Sequence, residues 1–260
     1  MAKPTAATAR DFVGKLELPA PPPPRPAAAR ALAPFNFEAA KDQAIVVGSD
    51  IVSFVKTVTP QQRRDIVNAL LLAQLVAKKA VPEPGTLDQI RAWYERYFDV
   101  LSNIGFAIQE KDLRKYNQKG DGFEVHEAIL EVAAVLLGPG STALAVLTAT
   151  LKALQKAGGN QPWITLFNKE SQFANAARFQ VSTVDGDANG ALVFLSSFAL
   201  EATANLTQVL FFKFRSNDVT IEHSSGKVSI DAQVLAAVRE EIAAKLIKHT
   251  SEYVAGLPDL

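Results

Sequence analysis

The sequence contains no cysteine, which excludes disulfide bonds, thiol catalysis and thiolate metal sites. It has no net charge either, because 27 basic side chains balance 27 acidic ones. A chain without an overall field does not attract nucleic acid, so we expect no nucleic-acid partner. Of its 260 residues, 48% are hydrophobic and 21% are charged, as in ordinary globular proteins. This composition excludes a wholly disordered chain and a many-span membrane protein.

Sequence motifs for catalysis are also absent. The chain has no glycine-rich phosphate loop, no dinucleotide-binding fingerprint and no Gly-x-Ser-x-Gly nucleophile elbow. Its three histidines, His126, His223 and His249, are far apart in the sequence and fall in different predicted elements. We therefore predict a non-enzymatic protein without a cofactor. An enzyme that uses two carboxylates is left open, because sequence spacing does not show whether two acids meet in a cleft.

Residues 1–34 differ from the rest of the chain, since they hold eight of the 14 prolines. Proline and alanine contribute little apolar mass, so we expect a disordered leader whose removal leaves the stability almost unchanged. Its apolar island, Asp11–Leu18, is a candidate docking motif for a protein partner. No apolar run of about 7–15 residues follows the basic start, so we expect a cytoplasmic protein or one exported without a cleavable signal peptide.

Residues 35–260 are predicted to form one α+β domain, with helices in 35–157. Apolar residues spaced by three and four positions predict these helices. They cover about Glu38–Val58, a segment that starts after Thr59, a segment that starts after Thr86, and about Phe123–Leu137 and Ser141–Lys156. Thr59 and Thr86 are each followed by glutamine three residues later, the pattern of a capping box.

Residues 160–260 are predicted to form an antiparallel sheet of about five or six strands. Runs of β-branched and aromatic residues separated by short turns favour hairpins over parallel crossovers. The runs are Ile164–Phe167, Phe179–Val184, Ala191–Thr203, Thr207–Arg215, Val219–His223 and Lys227–Ile230, with a turn expected at Ser224–Gly226. After them, Asp231 is the expected N-cap of a C-terminal helix that packs on the sheet.

The segment Asp185–Gly190 is rich in Asp, Asn and Gly, which is typical of a tight hairpin turn. The alternative is a calcium site with the oxygen ligands Asp185, Asp187 and Asn189. The twelfth position of such a loop is Ser196, where a helix-flanked calcium loop needs a bidentate glutamate. The predicted strands on both sides also favour the turn.

The most unusual segment is Val132–Leu151, which is twenty residues long and contains no charged residue. Its middle, Gly138-Pro139-Gly140, breaks the helix, so each arm of about ten residues reaches roughly 15 Å, half of a bilayer core. We therefore expect no transmembrane helix in the soluble form. The segment is predicted to be either a buried helical hairpin or one that is released onto a membrane or apolar ligand. The candidate contact residues are Val132, Val135, Leu136, Leu137, Leu144, Leu147 and Leu151.

Two stretches carry a resemblance to a known group of proteins. Asp99–Phe106 ends the predicted aromatic helix, and Val209–Phe214 precedes a polar hairpin and then the apolar positions Val238, Ile242 and Leu246. Together they resemble uncharacterised stand-alone bacterial and fungal α+β proteins, some of them linked to virulence. The resemblance covers about residues 35–250 and implies an interaction or effector role without naming a site residue.

These observations together favour a non-enzymatic effector or interaction protein that engages membrane lipid through Val132–Leu151. The alternative is a carrier of a small apolar ligand such as a fatty acid, for which we would expect a closed apolar cavity of several hundred Å³ between the helices and the sheet. The oligomeric state does not follow from the sequence.

Overall fold

The computed structural model describes residues 3–22, 36–38, 40–117, 122–157, 161–187, 190–206, 208–211, 213–215 and 218–257. It confirms the α+β class. The helices are α1 (Ala6–Lys15), α2 (Pro60–Ala80), α3 (Leu87–Asn103), α4 (Val125–Leu137), α5 (Thr142–Ala157), α6 (Pro162–Ser171), α7 (Ala232–Leu246) and α8 (Thr250–Tyr253). The strands are β1 (Gln43–Val47), β2 (Asp50–Phe54), β3 (Phe106–Ala107), β4 (Arg114–Lys115), β5 (Gly122–Glu124), β6 (Gln172–Phe173), β7 (Ala176–Asp187), β8 (Gly190–Ala202), β9 (Lys213–Arg215), β10 (Val219–Ile230) and β11 (Val254–Gly256).

Nine of these strands form one central sheet. Its order is β11-β1-β2-β7-β8-β10-β3, with β4 paired to β10 and β6 paired to β7, while β5 and β9 form a separate pair. The sheet is mixed rather than purely antiparallel as predicted, because β2 and β7 run parallel, with Asp50 opposite Gln180. The described strands also exceed the predicted five or six, since the sheet recruits the β1–β2 hairpin and several two- or three-residue strands.

Helices cover both faces of the sheet, and each face has its own apolar core. On the first face, α1, α2, α3 and α7 pack over strand residues such as Ile45, Val52 and Val228. On the second face, α4, α5 and α6 pack over Phe179, Phe198 and neighbouring residues. The fold is therefore a three-layer sandwich, with successive residues of each central strand pointing alternately into the two cores.

The helix predicted over Glu38–Val58 is wrong, because residues 43–54 form the β1–β2 hairpin. All ten strand residues are buried, so neither strand shows the alternation of a half-exposed strand. Gly48 has φ +57°, and a Cβ atom there would lie 2.4 Å from Gln74 Oε1 of α2. Only glycine fits this turn, which lies against the helix that follows it.

Two predictions in the second half of the chain are also wrong. Ile164–Phe167 lies in α6, which begins with Pro162 at its first position, where the missing N–H costs nothing. The turn expected at Ser224–Gly226 lies inside β10, whose pairing with β8 continues through all three residues. Of the strand expected over Thr207–Arg215, residues 213–215 form β9, while Thr207 and Phe212 lie outside the described residues.

Other predicted elements are confirmed. Helices α2 and α3 start at their Thr59 and Thr86 caps, and α4 and α5 are separated at Gly138–Gly140. Asp231 caps α7 by accepting hydrogen bonds from the backbone N–H groups of Gln233 and Val234. Helix α7 lies against α1 and α2 and shares their apolar core with the first face of the sheet.

The first described residues do not form the expected tether. Residues 6–15 form α1, which packs on α7 and buries Ala9 and Val13 completely. Arg10 Nε donates to the backbone oxygen of Ala237, and Lys245 Nζ donates to that of Leu16 at 2.9 Å. The proline content of residues 1–34 gave no indication of this helix. The few apolar residues of the segment nevertheless fall on one helix face, and this face packs on α7. Residues 23–35 lie outside the described part.

We expect docking of α1 to stabilise the fold, contrary to the estimate from composition. Ala9→Asp should lower the free energy of unfolding by about 3 kcal/mol, because it places a carboxylate in the α1–α7 contact. Ala7→Asp, on the exposed side of the same helix, is the matched control and should change it by less than about 0.5 kcal/mol. Thermal and urea unfolding measure both variants, and equal stabilities would contradict the docking.

Candidate functional site

The predicted apolar hairpin, defined as residues 132–151 of α4, α5 and their turn, lies on the second face of the sheet. Four of its seven candidate residues, Val132, Leu137, Leu147 and Leu151, are buried against the sheet. Leu136 and Leu144 are half-buried. Val135 is 89% exposed, and only one other large apolar side chain of the described residues, Ile247, is comparably exposed. The hairpin is therefore partly core and partly surface.

The turn of the hairpin is built from two glycines with positive φ. Gly138 has φ +84° and Gly140 has φ +77°, with the exposed Pro139 between them. These conformations favour glycine, so the tight reversal follows directly from the sequence. After the turn, Ser141 Oγ accepts a hydrogen bond from the backbone N–H of Leu144 and so starts α5.

The outward surface of the apolar hairpin carries no charge. Its exposed residues are Val135, Pro139, Gly140, Thr142 and Ala145. An exposed helix face normally carries charged and polar side chains, so an uncharged face is unusual for a helix in contact with water. Within the described part of the chain, no helix is both long enough and apolar enough to cross a membrane.

The apolar hairpin is attached to the sheet mainly by apolar side chains. One polar contact joins the two, between the hydroxyl groups of Ser53 in β2 and Thr150 in α5, 3.1 Å apart. The Thr150 hydroxyl also lies 2.9 Å from the backbone oxygen of Val146. Few hydrogen bonds would have to break if this layer left the sheet. Few polar groups would therefore lose their partners.

The first face of the sheet is different, because polar side chains cross its centre. Asp50, Gln180 and Ser197 are opposite one another on the adjacent strands β2, β7 and β8. We call these three residues the polar row. All three are buried beneath α3. The Tyr94 hydroxyl lies 2.8 Å from the backbone oxygen of Phe179 and accepts a hydrogen bond from Gln180 Nε2 at 3.0 Å.

Arg178, next to the polar row on β7, is a buried cation without a carboxylate partner. Its Nη1 donates to Ser49 Oγ at 2.7 Å, and its guanidinium carbon lies 3.7 Å from the centre of the Trp93 ring. Burial lowers the pKa of Arg178 to about 10, so the group stays charged at neutral pH. Cation–π contact and one hydroxyl replace the water that the cation loses.

Hydrogen bonds from this region reach both α2 and α3. The Ser49 hydroxyl donates to Gln180 Oε1 at 2.9 Å, and the Ser49 backbone N–H donates to Gln74 Oε1 of α2 at 2.9 Å. Near the start of α3, Arg91 makes a two-pronged ion pair with Glu222 of β10, with Nε 3.0 Å from Oε2. Polar contacts therefore bind α2 and α3 to the sheet, in contrast to the apolar hairpin.

Several buried polar atoms of the same region have no hydrogen-bond partner among the described residues. They are Asp50 Oδ1, Trp93 Nε1, Tyr97 Oη, Arg178 Nε and Ser197 Oγ. Buried polar atoms of this kind are usually satisfied in folded proteins, either by protein groups or by ordered water.

The calcium candidates lie on a β-hairpin. Asp187 pairs with Gly190 across the β7–β8 turn, and Asp185 Oδ1 accepts a hydrogen bond from the Gly186 backbone N–H at 2.8 Å. β7 and β8 therefore form a hairpin here, as expected, while Ala188, Asn189 and the side chain of Asp187 lie outside the described residues. In the described part, no three His, Asp or Glu side chains form a group that could hold a metal ion.

The buried acids do not form a catalytic pair. Asp50 accepts a hydrogen bond from Ser182, Glu170 forms an ion pair with Lys78 at 2.7 Å, and Glu222 pairs with Arg91. Each acid therefore has its own partner and none is bound to a second acid, which gives no support to carboxylate catalysis.

The clefts likewise do not favour a fatty-acid carrier. The cleft where α2, α7 and the β7–β8 hairpin meet is about 220 Å³ and open to solvent, and its lining includes the polar residues Gln61, Asp65 and Arg239. A larger open groove of about 560 Å³ near the start of α1 has Lys3, Lys111 and Asp231 in its lining.

Sequence reasoning found the apolar hairpin but missed the polar row. The available signal was the alternation of Arg178, Gln180 and Ser182 within an otherwise apolar strand. Alternate polar residues normally indicate a solvent-exposed strand face, so the pattern by itself predicts exposure rather than a covered polar layer. Asp50 was missed because its segment was predicted to be helical.

Comparisons with known proteins show only distant likeness. No family model matches the chain, and no curated protein matches its sequence. A solved structure titled delta-endotoxin is similar over 74% of this chain and 89% of its own, at 17% identity and a TM-score of 0.36. The structure of the Evf virulence factor is similar over 82% and 87%, at 14% identity and a TM-score of 0.30. Likeness at this level carries no conclusion about activity.

The two tyrosines of α3 should respond differently to loss of their hydroxyl groups. Tyr94→Phe should lower the free energy of unfolding by about 1–3 kcal/mol, because it leaves the Gln180 amide and two backbone oxygens without their partner. Tyr97→Phe is the matched control, because it removes a hydroxyl that has no partner among the described residues, and should be neutral or stabilising. Urea unfolding measures both, and an equal loss would contradict the hydrogen bonding described.

Proposed function

We propose that the protein is a non-enzymatic effector that engages lipid membranes through the apolar hairpin. The observation that carries the proposal is the outward surface of that hairpin, which has no charge between Glu131 and Lys152 and exposes Val135 almost fully. Burying an exposed valine in an apolar phase is favourable by about 1.5–3 kcal/mol. This surface supplies an attractive first contact with lipid.

The inward face of the hairpin supports a lipid rather than a protein groove as the apolar phase. Val132, Leu147 and Leu151, which pack on the sheet, are as apolar as the outward positions. The arms therefore carry apolar side chains and a few uncharged hydroxyl groups, and no charge on any side, as suits a helix that is surrounded by an apolar medium. Residues 132–137 of α4 and 142–151 of α5 span roughly 9 Å and roughly 15 Å, so neither arm exceeds one leaflet of a bilayer.

The uncharged surface and the dimensions of the apolar hairpin are what support membrane binding. An effector role is compatible with the titles of the two similar structures, but the likeness is too low to add weight. The polar clefts and the separately paired acids give no specific observation in favour of a carrier or an enzyme.

Membrane binding should depend on the exposed valine. We expect the protein to float with phosphatidylcholine liposomes at some pH between 4 and 7, and Val135→Glu to lower the bound fraction about tenfold or more. Ile247→Glu is the matched control, because Ile247 is 77% exposed but lies at the end of α7, and it should bind as the wild type does. Absence of binding by the wild type throughout this range would overturn the proposal.

A disulfide staple tests whether the hairpin must leave the sheet. Ser53 and Thr150 have their hydroxyl oxygens 3.1 Å apart, and the chain has no other cysteine to compete, so Ser53→Cys with Thr150→Cys should form one defined disulfide. The oxidised variant should release less dye from liposomes than the same protein after reduction. Equal release in both states would show that the hairpin acts without leaving the sheet.

A further inference from the structure

Asp50 is a carboxylic acid in an environment that does not suit its charge. It begins β2 directly after the Gly48–Ser49 turn, and its side chain is completely buried on the first face of the sheet. Oδ2 accepts one hydrogen bond, from the Ser182 hydroxyl at 2.8 Å, while Oδ1 has no partner among the described residues. A carboxylate in water is fully hydrated, so one hydroxyl does not replace what ionised Asp50 loses on burial.

The ionisable groups around Asp50 do not neutralise it. Arg178 on β7 is a buried cation of this layer, but it contacts Ser49 and Trp93, and among the described residues it forms no ion pair with Asp50. The α3 side supplies two phenols, Tyr94 and Tyr97. The ionised form of Asp50 is therefore buried without an opposite charge bound to it.

The remaining charged groups near this layer are engaged elsewhere. On α2, Lys78 forms an ion pair with Glu170 of α6, and Arg63 donates to the backbone oxygen of Val58 at 3.0 Å. Tyr253 of α8 lies against Lys78, with the ammonium 5.2 Å from the ring centre. Glu170 acts on Arg178 by raising its pKa, against the larger effect of burial. None of these groups compensates Asp50.

The field of ionised Asp50 also reaches the helix above it. Burial is the main cause that raises the pKa of both Tyr94 and Tyr97, and the charge of Asp50 raises both further. For Asp50 itself, burial raises the pKa to about 7, and the hydrogen bond from Ser182 opposes this only in part. The group therefore changes charge near neutral pH while it is buried on the first face of the sheet.

We propose that the proton on Asp50 locks the α2–α3 layer onto the sheet, and that its loss loosens this layer. Neutral Asp50 can remain buried with the single hydrogen bond from the Ser182 hydroxyl, because it carries no charge. Ionised Asp50 places an uncompensated charge in the same region. The polar row would then be a pH-sensitive contact between helix and sheet. This inference does not depend on membrane binding.

The direction of the effect follows from linkage. The folded protein holds the Asp50 proton more tightly than the unfolded chain does. The stabilisation is therefore complete below the ordinary aspartate pKa of 3.8 and is lost as the pH rises through the folded-state pKa of about 7. Between pH 5 and pH 8 the contribution of Asp50 to the folding equilibrium constant should fall roughly 100-fold.

Asp50→Asn tests the proposal, because the amide has a similar shape but never ionises. The equilibrium constant for folding, measured by urea unfolding at pH 5 and pH 8, should fall roughly 100-fold more in the wild type than in the variant. Asp112→Asn, at an exposed acid, is the matched control and should keep the wild-type pH dependence. The same pH dependence in Asp50→Asn and the wild type would overturn the proposal.

Two further measurements keep the test decisive if Asp50→Asn does not fold. Carboxyl carbon NMR of the wild-type protein should show one aspartate that titrates near neutral pH, and titration of every aspartate near pH 4 would contradict the proposal. In a Trp163→Phe background, Trp93 is the remaining tryptophan and lies over Arg178. Its fluorescence should shift to the red between pH 5 and pH 8, together with faster amide exchange in α3 than in α5. Uniform exchange across both helices would exclude a local lock.

Discussion

Helices cover the central sheet on both faces, and the rest of the structure depends on this constraint. A central strand of such a sheet has helices over both sides, so its residues must fit one of two cores. β1 and β2 are buried at all ten positions, seven of them apolar, and the Gly48 turn fits tightly under α2. Polar residues that fall inside these strands must find partners within a layer, which is how Asp50, Gln180 and Ser197 come to form a covered polar row.

The two helical layers consequently differ in how they hold the sheet. The first layer is bound by hydrogen bonds from Tyr94 and Gln74 and by the Arg91–Glu222 ion pair. These contacts depend on direction and distance, so they fix the positions of α2 and α3. They would break if this layer moved relative to the sheet. The apolar hairpin is held by contacts without direction, with Ser53 and Thr150 as a polar link. Apolar contacts can be exchanged for contacts with lipid at little cost, whereas directional polar contacts cannot.

Much of the fold could be predicted from the sequence, and the errors have physical causes. The capping threonines, the Gly138–Gly140 break and the Asp231 cap are local signals, and each was confirmed because short-range hydrogen bonds decide it. The β1–β2 hairpin was missed because complete burial removes the periodicity that separates strand from helix. Helix α6 was missed because its apolar run Ile164–Phe167 is short and rich in β-branched and aromatic residues, which favour a strand. The apolar hairpin could be found because absence of charge is visible in one segment. The polar row could not, because its residues come from three strands and meet only in the tertiary structure.

Strand β2 connects the two faces over a very short distance. Its first residue, Asp50, points into the layer under α3, and Ser53 points to the opposite face, where it contacts Thr150 of α5. Five residues of one strand thus carry both the buried acid and the polar anchor of the apolar hairpin. Because β2 is paired on both sides, with β1 and with β7, it moves only as part of the sheet. Any displacement of β2 would therefore reach both the layer that covers Asp50 and the surface on which the apolar hairpin rests.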